Sequence, residues 1–149
     1  MTTIAWDGVS LCSDSLMTCD GVRVGTTKKI RALYGGKAGR DGLLKSTGLV
    51  AVAGHASAME VVSRWLESDC KDKPEDDLDF TALWIKKDGT VWCIESDFNP
   101  YPMSVPCTIG SGGDIALAAL TLGKTAREAV ELGIKLDCIS GGEIQELRI

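Results

Sequence analysis

The sequence predicts an α+β fold in which helices lie on antiparallel sheets, and three observations support this. Two dipeptides that favour tight hairpins, Asp7-Gly8 and Asp88-Gly89, each separate two runs of strand-forming residues. A stretch with apolar residues at a helical spacing lies between the hairpins, and more helical sequence follows the second one. This order of strands, helix, strands, helices and a last strand is typical of helices layered on antiparallel sheets.

The bulk composition predicts a single soluble domain that spans residues 1–149. The chain is 44% hydrophobic and 25% charged, and it contains no apolar run near the length of about 20 residues that a membrane span needs. The first residues lack the basic and apolar regions of a signal peptide, so we expect a cytoplasmic protein. The net charge of −5 argues against nucleic acid or an anionic membrane as the main partner.

The first half of the chain is predicted to be rich in strands. Residues Thr2–Trp6 and Val9–Asp14 form the first hairpin, with Asp7-Gly8 as its turn. Further short strands are expected at 22–24, 28–33 and 48–54. Because the last of these is nearly all apolar, we place it at the centre of a sheet.

Three helices and a closing strand are predicted in the rest of the chain. Residues 55–68 carry an apolar stripe, and a second helix, apolar almost all round and therefore expected to be buried, follows Gly112-Gly113. Thr125 and Glu128 have the spacing of a capping box, which begins a third helix that ends near Leu136. The acidic run 69–79 is expected to be a solvated loop, the second hairpin joins 80–87 to 90–96, and 144–149 form the last strand.

The residues that commonly bind metals do not form a recognisable motif. The six cysteines lack a paired spacing, and we expect free thiols that serve mostly as small core residues. His55 is the only histidine, and at the start of a helix it is expected to be a surface or capping residue. We therefore predict no metal site and no cofactor.

Thr2 is a candidate nucleophile because of its place in the chain. A threonine hydroxyl is a poor nucleophile alone, but an N-terminal threonine carries its own base, an α-amine whose pKa is usually about 7.7–8.0. Removal of Met1, which the small Thr2 side chain favours, would create this pair. The alternative is that Thr2 and Thr3 serve simply as β-formers, and these residues alone do not decide between the two.

Several segments, in this order, carry a resemblance to a known family. They are TTIAWDGVSLCSDSLMT, KKIRAL, AVAGHASA, IGSGG and LDCISGG, and they span nearly the whole chain. On these segments the chain resembles the proteasome β-subunit and HslV family of N-terminal-nucleophile hydrolases. The resemblance implies a threonine peptidase that acts on peptides or unfolded protein.

The resemblance also implies a role for individual residues of this chain. Thr2 would be the nucleophile, Asp14 and Lys29 a charged pair beside it, and Gly54 the donor of the oxyanion hole. Ser111 would lie near the nucleophile, and Asp137 and Ser140 match the family's Asp-x-x-Ser-Gly-Gly motif. Thr18 would bind the substrate backbone. The first specificity pocket, suited to an apolar side chain, would be lined by Met17, Thr27, Val52 and Ala56.

For the fold and assembly, the resemblance implies a four-layer αββα sandwich within a homo-oligomeric ring. The ring would be a hexamer or a heptamer, and two such rings could stack. An unfolding AAA+ ATPase is a possible partner. The family usually has two helices between the oxyanion turn and the next hairpin, whereas only 55–68 is helical here, so we expect one helix of the pair to be missing.

Two alternatives to the peptidase remain open. One is a catalytically silent scaffold subunit, although a scaffold does not require Thr2, Asp14 and Lys29 together. The other is an N-terminal-nucleophile amidase that acts on a small amide. A chain that retained Met1 would have an amide at the Thr2 nitrogen and is expected to be inactive.

Overall fold

A computed structural model of the chain describes residues 2–35, 40 and 46–149. In these residues the fold is α+β, as predicted, with eleven strands and three helices. The strands are β1 (Ile4–Trp6), β2 (Ser10–Ser13), β3 (Leu16–Cys19), β4 (Val22–Thr26), β5 (Ile30–Tyr34), β6 (Ser46–Gly54), β7 (Phe80–Lys86), β8 (Val91–Glu95), β9 (Tyr101–Met103), β10 (Cys107–Ile109) and β11 (Gln145–Arg148). The helices are α1 (Ala58–Glu67), α2 (Gly113–Thr121) and α3 (Ala126–Leu136).

The described strands form three antiparallel sheets. One sheet has the order β10-β1-β2-β11, a second has the order β5-β6-β7-β8-β9, and β3 pairs only with β4. The predicted central strand is β6, which lies between β5 and β7 and is buried from Gly48 to Ala53. Thr2 and Thr3, the two residues before β1, are both buried.

The first predicted hairpin is confirmed, but its turn lies one residue later than expected. Trp6 pairs with Leu11, and the amide of Asp7 donates to the carbonyl of Ser10 over 3.3 Å, so Gly8 and Val9 form the loop. The Asp7 carboxylate explains the shift, because its Oδ1 accepts from the backbone amides of Val9 and Ser10 at 2.8 Å each. Asp7 thus stabilises the turn from its edge instead of occupying its centre.

The second hairpin is also confirmed, with a longer loop than a two-residue turn. The amide of Lys86 donates to the carbonyl of Thr90 over 2.9 Å, which leaves residues 87–89 as a three-residue loop. Gly89 has a φ of 85°, the left-handed conformation that a loop of this length requires at its last position.

Three clusters of buried side chains hold the elements together. The first joins the facing sides of the four- and five-stranded sheets through residues such as Ile4, Trp6, Leu83 and Ile85. The second packs α1 on the other face of the five-stranded sheet, and the third packs α2 and α3 on the other face of the four-stranded sheet. These contacts are consistent with a compact sandwich.

The helices follow the predictions in position but not in every detail. The capping box of α3 is present, since Thr125 Oγ1 accepts from the amide of Glu128 and the Glu128 carboxylate accepts from the amide of Thr125. α2 is not buried all round, because Leu117 is 39% exposed and Leu122, just beyond the helix, is 84% exposed. Residues 55–79, all of which are described, contain α1 as their only helix, and the acidic run 69–79 is irregular, as expected.

The cysteines are free thiols, as predicted, but only half of them belong to the core. Cys12, Cys93 and Cys107 are buried, whereas Cys19 and Cys138 are exposed. Burial raises the pKa of both the Cys12 and the Cys107 thiols to about 12, so these two are unreactive core residues. In the part of the chain that the structure describes, no helix is long and apolar enough to span a membrane.

Candidate active site

The carboxylate of Asp14, directly after β2, is the most constrained polar group of the candidate site. Its side chain is 0% exposed. Oδ1 accepts from the backbone amide of Thr3 at 3.0 Å and from Nζ of Lys29 at 2.9 Å, and Oδ2 accepts from the amide of Gly141 at 2.9 Å. A buried charge needs such partners to offset the loss of hydration. Asp14 therefore fixes the first strand relative to Lys29 and to the segment that precedes β11.

Lys29 lies directly before β5, and its side chain is nearly buried. Burial lowers the pKa of its ammonium group, while the charge of Asp14 and the hydrogen bond to it act in the opposite direction. The backbone of Lys29 is also held, because its amide donates to Oε1 of Gln145 over 3.0 Å and its carbonyl accepts from the amide of Val52 over 2.9 Å. The structure thus brings Asp14 and Lys29 together as the resemblance implies.

Thr2 is 4% exposed and is held by the turn that begins α2. Its amide nitrogen donates to Oγ of Ser111 over 3.2 Å, and its carbonyl accepts from the amide of Gly112 over 3.2 Å. Gly110, with a φ of 94°, passes so close to the Thr2 carbonyl that a side chain at this position would collide with it. The backbone nitrogen of Thr2 is therefore placed beside the hydroxyl of Ser111.

Asp137 joins the two predicted serines. Its Oδ2 accepts from Oγ of Ser111 and from Oγ of Ser140, each at 2.6 Å, and its Oδ1 accepts from the amide of Ile139 at 3.4 Å. Burial acts to raise the pKa of this carboxyl, but the hydrogen bonds from Ser111, Ser140 and Ile139 lower it below its usual value. A continuous chain of hydrogen bonds therefore runs from the nitrogen of Thr2 through Ser111 to Asp137.

Thr3 is a site residue that the sequence did not reveal. It is 0% exposed, and its Oγ1 lies 2.7 Å from Oγ of Ser140. Its side chain fits against Gly112 at the start of α2 and against Gly133 of α3, so closely that neither position has room for a Cβ atom. Thr3 thus connects the segment that begins with Thr2 to two helices and to the Asp137 network.

Gly54 ends β6 in a conformation that requires glycine. Its φ is 117°, and a Cβ atom here would lie 2.5 Å from the carbonyl oxygen of Asp79. Gly54 and Thr2 both line a cavity of about 330 Å³, together with Lys29. All five residues predicted to bind substrate, namely Met17, Thr18, Thr27, Val52 and Ala56, line this cavity too.

The predicted site residues therefore fall into two connected groups. The first group is linked by hydrogen bonds to Thr2 and Thr3 and consists of Asp14, Ser111, Asp137 and Ser140. The second group, Lys29 and Gly54, lines the open cavity together with Thr2. Further residues line the cavity without having been predicted, and they are Leu16, Cys19, Val24, Lys28, His55 and Met59. His55 is exposed, as expected, but its place at the cavity edge was missed because a lone histidine has no spacing pattern.

The groups at the cavity suit nucleophilic chemistry. Within the described residues, no group of three or more His, Cys, Asp or Glu side chains could hold a metal ion. The cavity instead combines a hydroxyl, a buried ammonium group and the backbone of a left-handed glycine, and these groups suit attack on a carbonyl carbon.

A comparison with solved structures shows that the chain has a fold that is already known. The chain is similar to Thiobacillus denitrificans BPH with a TM-score of 0.67 and 17% identity, and the match covers 99% of this chain and 96% of that one. It is also similar to Thiobacillus denitrificans BPH in complex with epoxomicin, a proteasome inhibitor, with a TM-score of 0.68, 15% identity and coverage of 99% and 97%. No family model matches the chain, and no curated protein matches it.

Proposed function

We propose that this chain is a threonine peptidase that cleaves peptide bonds with Thr2 as its N-terminal nucleophile after removal of Met1. The observation that carries the proposal is the convergence of Thr2, Lys29 and Gly54 on one cavity, with the nitrogen of Thr2 beside Ser111. The similar fold of a protein that has been solved with epoxomicin supports a protease-like hydrolase.

The reaction would begin with attack by Oγ1 of Thr2 on a peptide carbonyl carbon. The free α-amine of Thr2 would take the hydroxyl proton and later give it to the departing amine. Water would then hydrolyse the ester that links the acyl group to Thr2, again with the amine as base. Ser111 is placed to bind that amine, since the nitrogen of Thr2 lies 3.2 Å from its hydroxyl.

Lys29 and Gly54 would supply the electrostatic part of catalysis. The ammonium group of Lys29, held by Asp14 at 2.9 Å, would favour the ionised oxygen of Thr2 and keep the α-amine unprotonated. The N–H of Gly54 would donate to the oxyanion of the tetrahedral intermediate. Met17, Thr27, Val52 and Ala56 would line the first specificity pocket, and Thr18 would bind the substrate backbone.

The proposal includes the wider architecture and assembly of the family. The three buried clusters support a four-layer sandwich, with a helix layer outside each of two facing sheets. The protein would work as a homo-oligomeric ring, a hexamer or a heptamer, that encloses its active sites and receives unfolded protein from an AAA+ ATPase. Residues 55–79 contain only one helix, α1. This supports the proposal that the family's second helix is missing from this segment.

The intact mass of the purified protein, before and after incubation with a peptide epoxyketone, tests the proposal. This reagent forms a closed ring with both the threonine oxygen and a free α-amine. We expect a chain that is lighter by one methionine and that gains one inhibitor molecule. A chain that keeps Met1 and gains nothing would favour the silent scaffold instead.

Matched variants separate the peptidase from the other candidates. Thr2→Ala removes the nucleophile and is expected to abolish both the adduct and peptide cleavage, whereas Thr2→Ser retains a hydroxyl and an amine and should keep both. Cleavage by Thr2→Ala would contradict the mechanism. Turnover of small amides without any cleavage of peptides would favour the amidase.

A further inference from the structure

The candidate cavity is lined by basic side chains and by no acidic side chain among the described residues. Among the described residues, Lys28, Lys29 and His55 line it, and no aspartate or glutamate does. This contrasts with the chain as a whole, which has 21 acidic and 16 basic side chains and a net charge of −5. The side chains that line the cavity thus differ in charge from those of the chain as a whole.

The two lysines of the cavity differ in what their charges do. Lys29 is nearly buried and donates to Asp14 over 2.9 Å, so its charge is paired with a carboxylate of the protein itself. Lys28 is exposed, and in residues 2–35, 40 and 46–149 no carboxylate lies within ion-pair distance of it. The ammonium group of Lys28 is therefore available to a ligand of the cavity.

His55 adds a hydrogen-bond donor at the same cavity. Its Nδ1 accepts from the backbone amide of Ser57 over 3.3 Å and lies 2.8 Å from Oγ of Ser57. Because Nδ1 accepts, the proton of the neutral ring is assigned to Nε2, which is then a donor. The remaining lining is largely apolar, with Leu16, Val52 and Met59 among its residues.

We infer that the cavity selects peptides that carry a carboxylate close to an apolar side chain, with Lys28 and His55 as the residues that bind the carboxylate. The inference rests on the proposed function, since it names the substrate class of that same cavity. A carboxylate accepts hydrogen bonds from both an ammonium group and an imidazole N–H. The carboxylate could belong to a Glu or Asp side chain or to the end of a peptide, and the test separates these two sources.

Peptide binding to the Thr2→Ala variant tests the inference without any need for turnover. Fluorescence anisotropy would compare labelled hexapeptides of apolar residues in which a single Glu moves through the sequence, each with an amidated end, against the same peptides with Gln. A further peptide without Glu, with either a free or an amidated end, tests the terminal carboxylate. We expect tighter binding of one Glu peptide, or of the free-ended peptide, than of its neutral counterpart.

Substitutions at the cavity assign this preference to residues. Lys28→Gln should reduce the Glu-over-Gln preference about two- to fivefold, the range expected for one exposed ion pair. His55→Gln should reduce it as well, and added salt should weaken it in the unsubstituted cavity. Lys87→Gln is the matched control, because Lys87 is exposed in the β7–β8 loop and does not line the cavity.

The outcomes distinguish this inference from the proposed function. Equal binding of charged and neutral peptides, no binding of any peptide, or a preference that Lys28→Gln leaves unchanged would each overturn the inference. A preference that Lys87→Gln abolishes equally would also overturn it, since long-range charge rather than the cavity would then be responsible. Cleavage of any peptide by Thr2→Ala would instead overturn Thr2 as the nucleophile.

Discussion

Asp14 and Lys29 form a buried ion pair whose two members depend on each other. Asp14 is 0% exposed and accepts from Lys29 Nζ at 2.9 Å, while burial lowers the pKa of Lys29. Loss of the carboxylate would take away the ion-pair partner that the buried ammonium group contacts directly. The pair is therefore a structural element as well as a candidate part of the chemistry.

We expect Asp14→Ala to lower the free energy of unfolding by about 3–5 kcal/mol, the usual cost of removing one partner from a buried ion pair. Urea denaturation followed by circular dichroism measures this change. Glu60→Ala is the matched control, since Glu60 pairs with Arg31 and Arg64 on the surface and its loss should leave the unfolding midpoint nearly unchanged. Equal effects of the two substitutions would contradict the buried role of Asp14.

The lowered pKa of Lys29 predicts an alkaline limit to activity. The proposed mechanism needs the protonated ammonium group, which is present below its pKa and lost as pH rises through it. Since burial lowers that pKa from its ordinary value of 10.5, peptide cleavage should fall at a pH below 10.5. A profile of kcat/KM against pH, with folding checked at each point, tests this. Activity that stays constant up to pH 10.5 would contradict the role of Lys29.

For individual site residues, the sequence predicts those that belong to a motif. It misses those whose contacts are with residues far away in the sequence. The structure joins Asp14 to Lys29 and joins Ser111 to Asp137. Thr3 was missed because its hydroxyl partner, Ser140, is 137 positions away and no local pattern links them. His55 and Lys28 were missed as cavity residues for the same reason, because a cavity edge is built from separate segments.

Among the elements, α3 is placed by a glycine rather than by its apolar face alone. A Cβ atom at Gly133 would lie 2.5 Å from Cγ2 and 2.7 Å from Oγ1 of Thr3. The helix therefore approaches the first strand closely, and the residue next to Thr2 fixes the distance between them. A change in the distance between α3 and the first strand is therefore expected to shift Thr2, the proposed nucleophile.

Gly133→Ala is expected to destabilise the protein by about 1–2 kcal/mol, because overpacking against Thr3 outweighs the better helix propensity of alanine. It should also lower kcat for peptide cleavage, since Thr3 would have to shift. A double-mutant cycle with Thr3→Ala, measured by urea denaturation, isolates the contact. Gly133→Ala should cost less when Thr3 is already alanine, because only the Cβ atom of residue 3, at 3.1 Å, is then left in close contact. Additive effects would show that the two residues do not interact.

The elements with strong local signals were predicted, and those defined only by pairing were not. The capping box of α3 and both hairpins are present because Thr125, Gly89 and Asp7 act on neighbouring backbone. β3 and β9 are short strands without alternation, and β9 contains Pro102 at the edge of its sheet. Such strands depend on their partner strand rather than on their own residues.

On the scale of the whole molecule, one hairpin stands apart from the two larger sheets. β4 is exposed along its full length, with Val22 63% and Val24 53% exposed, and it pairs only with β3 among the described strands. Exposed apolar side chains next to a free strand edge are typical of a contact with another protein. The hairpin is thus a candidate contact between the copies of the proposed ring.

We expect the purified protein to have six or seven times the mass of one chain, or twice that for a stacked pair, because the hairpin would be covered by a neighbouring copy. Native mass spectrometry measures the assembly directly. Val22→Asp combined with Val24→Asp should release smaller species, whereas Val9→Asp, which changes an exposed valine in another turn, should not. A monomer at micromolar concentration would contradict the ring.

The contacts of Asp14 also bear on when the candidate site forms during synthesis of the chain. Its three donors belong to Thr3, Lys29 and Gly141, so the last of them leaves the ribosome more than a hundred residues after the first. Contacts so distant in sequence form only when nearly the whole chain is free to fold. A nascent chain thus carries Thr2 long before the candidate site around it can form.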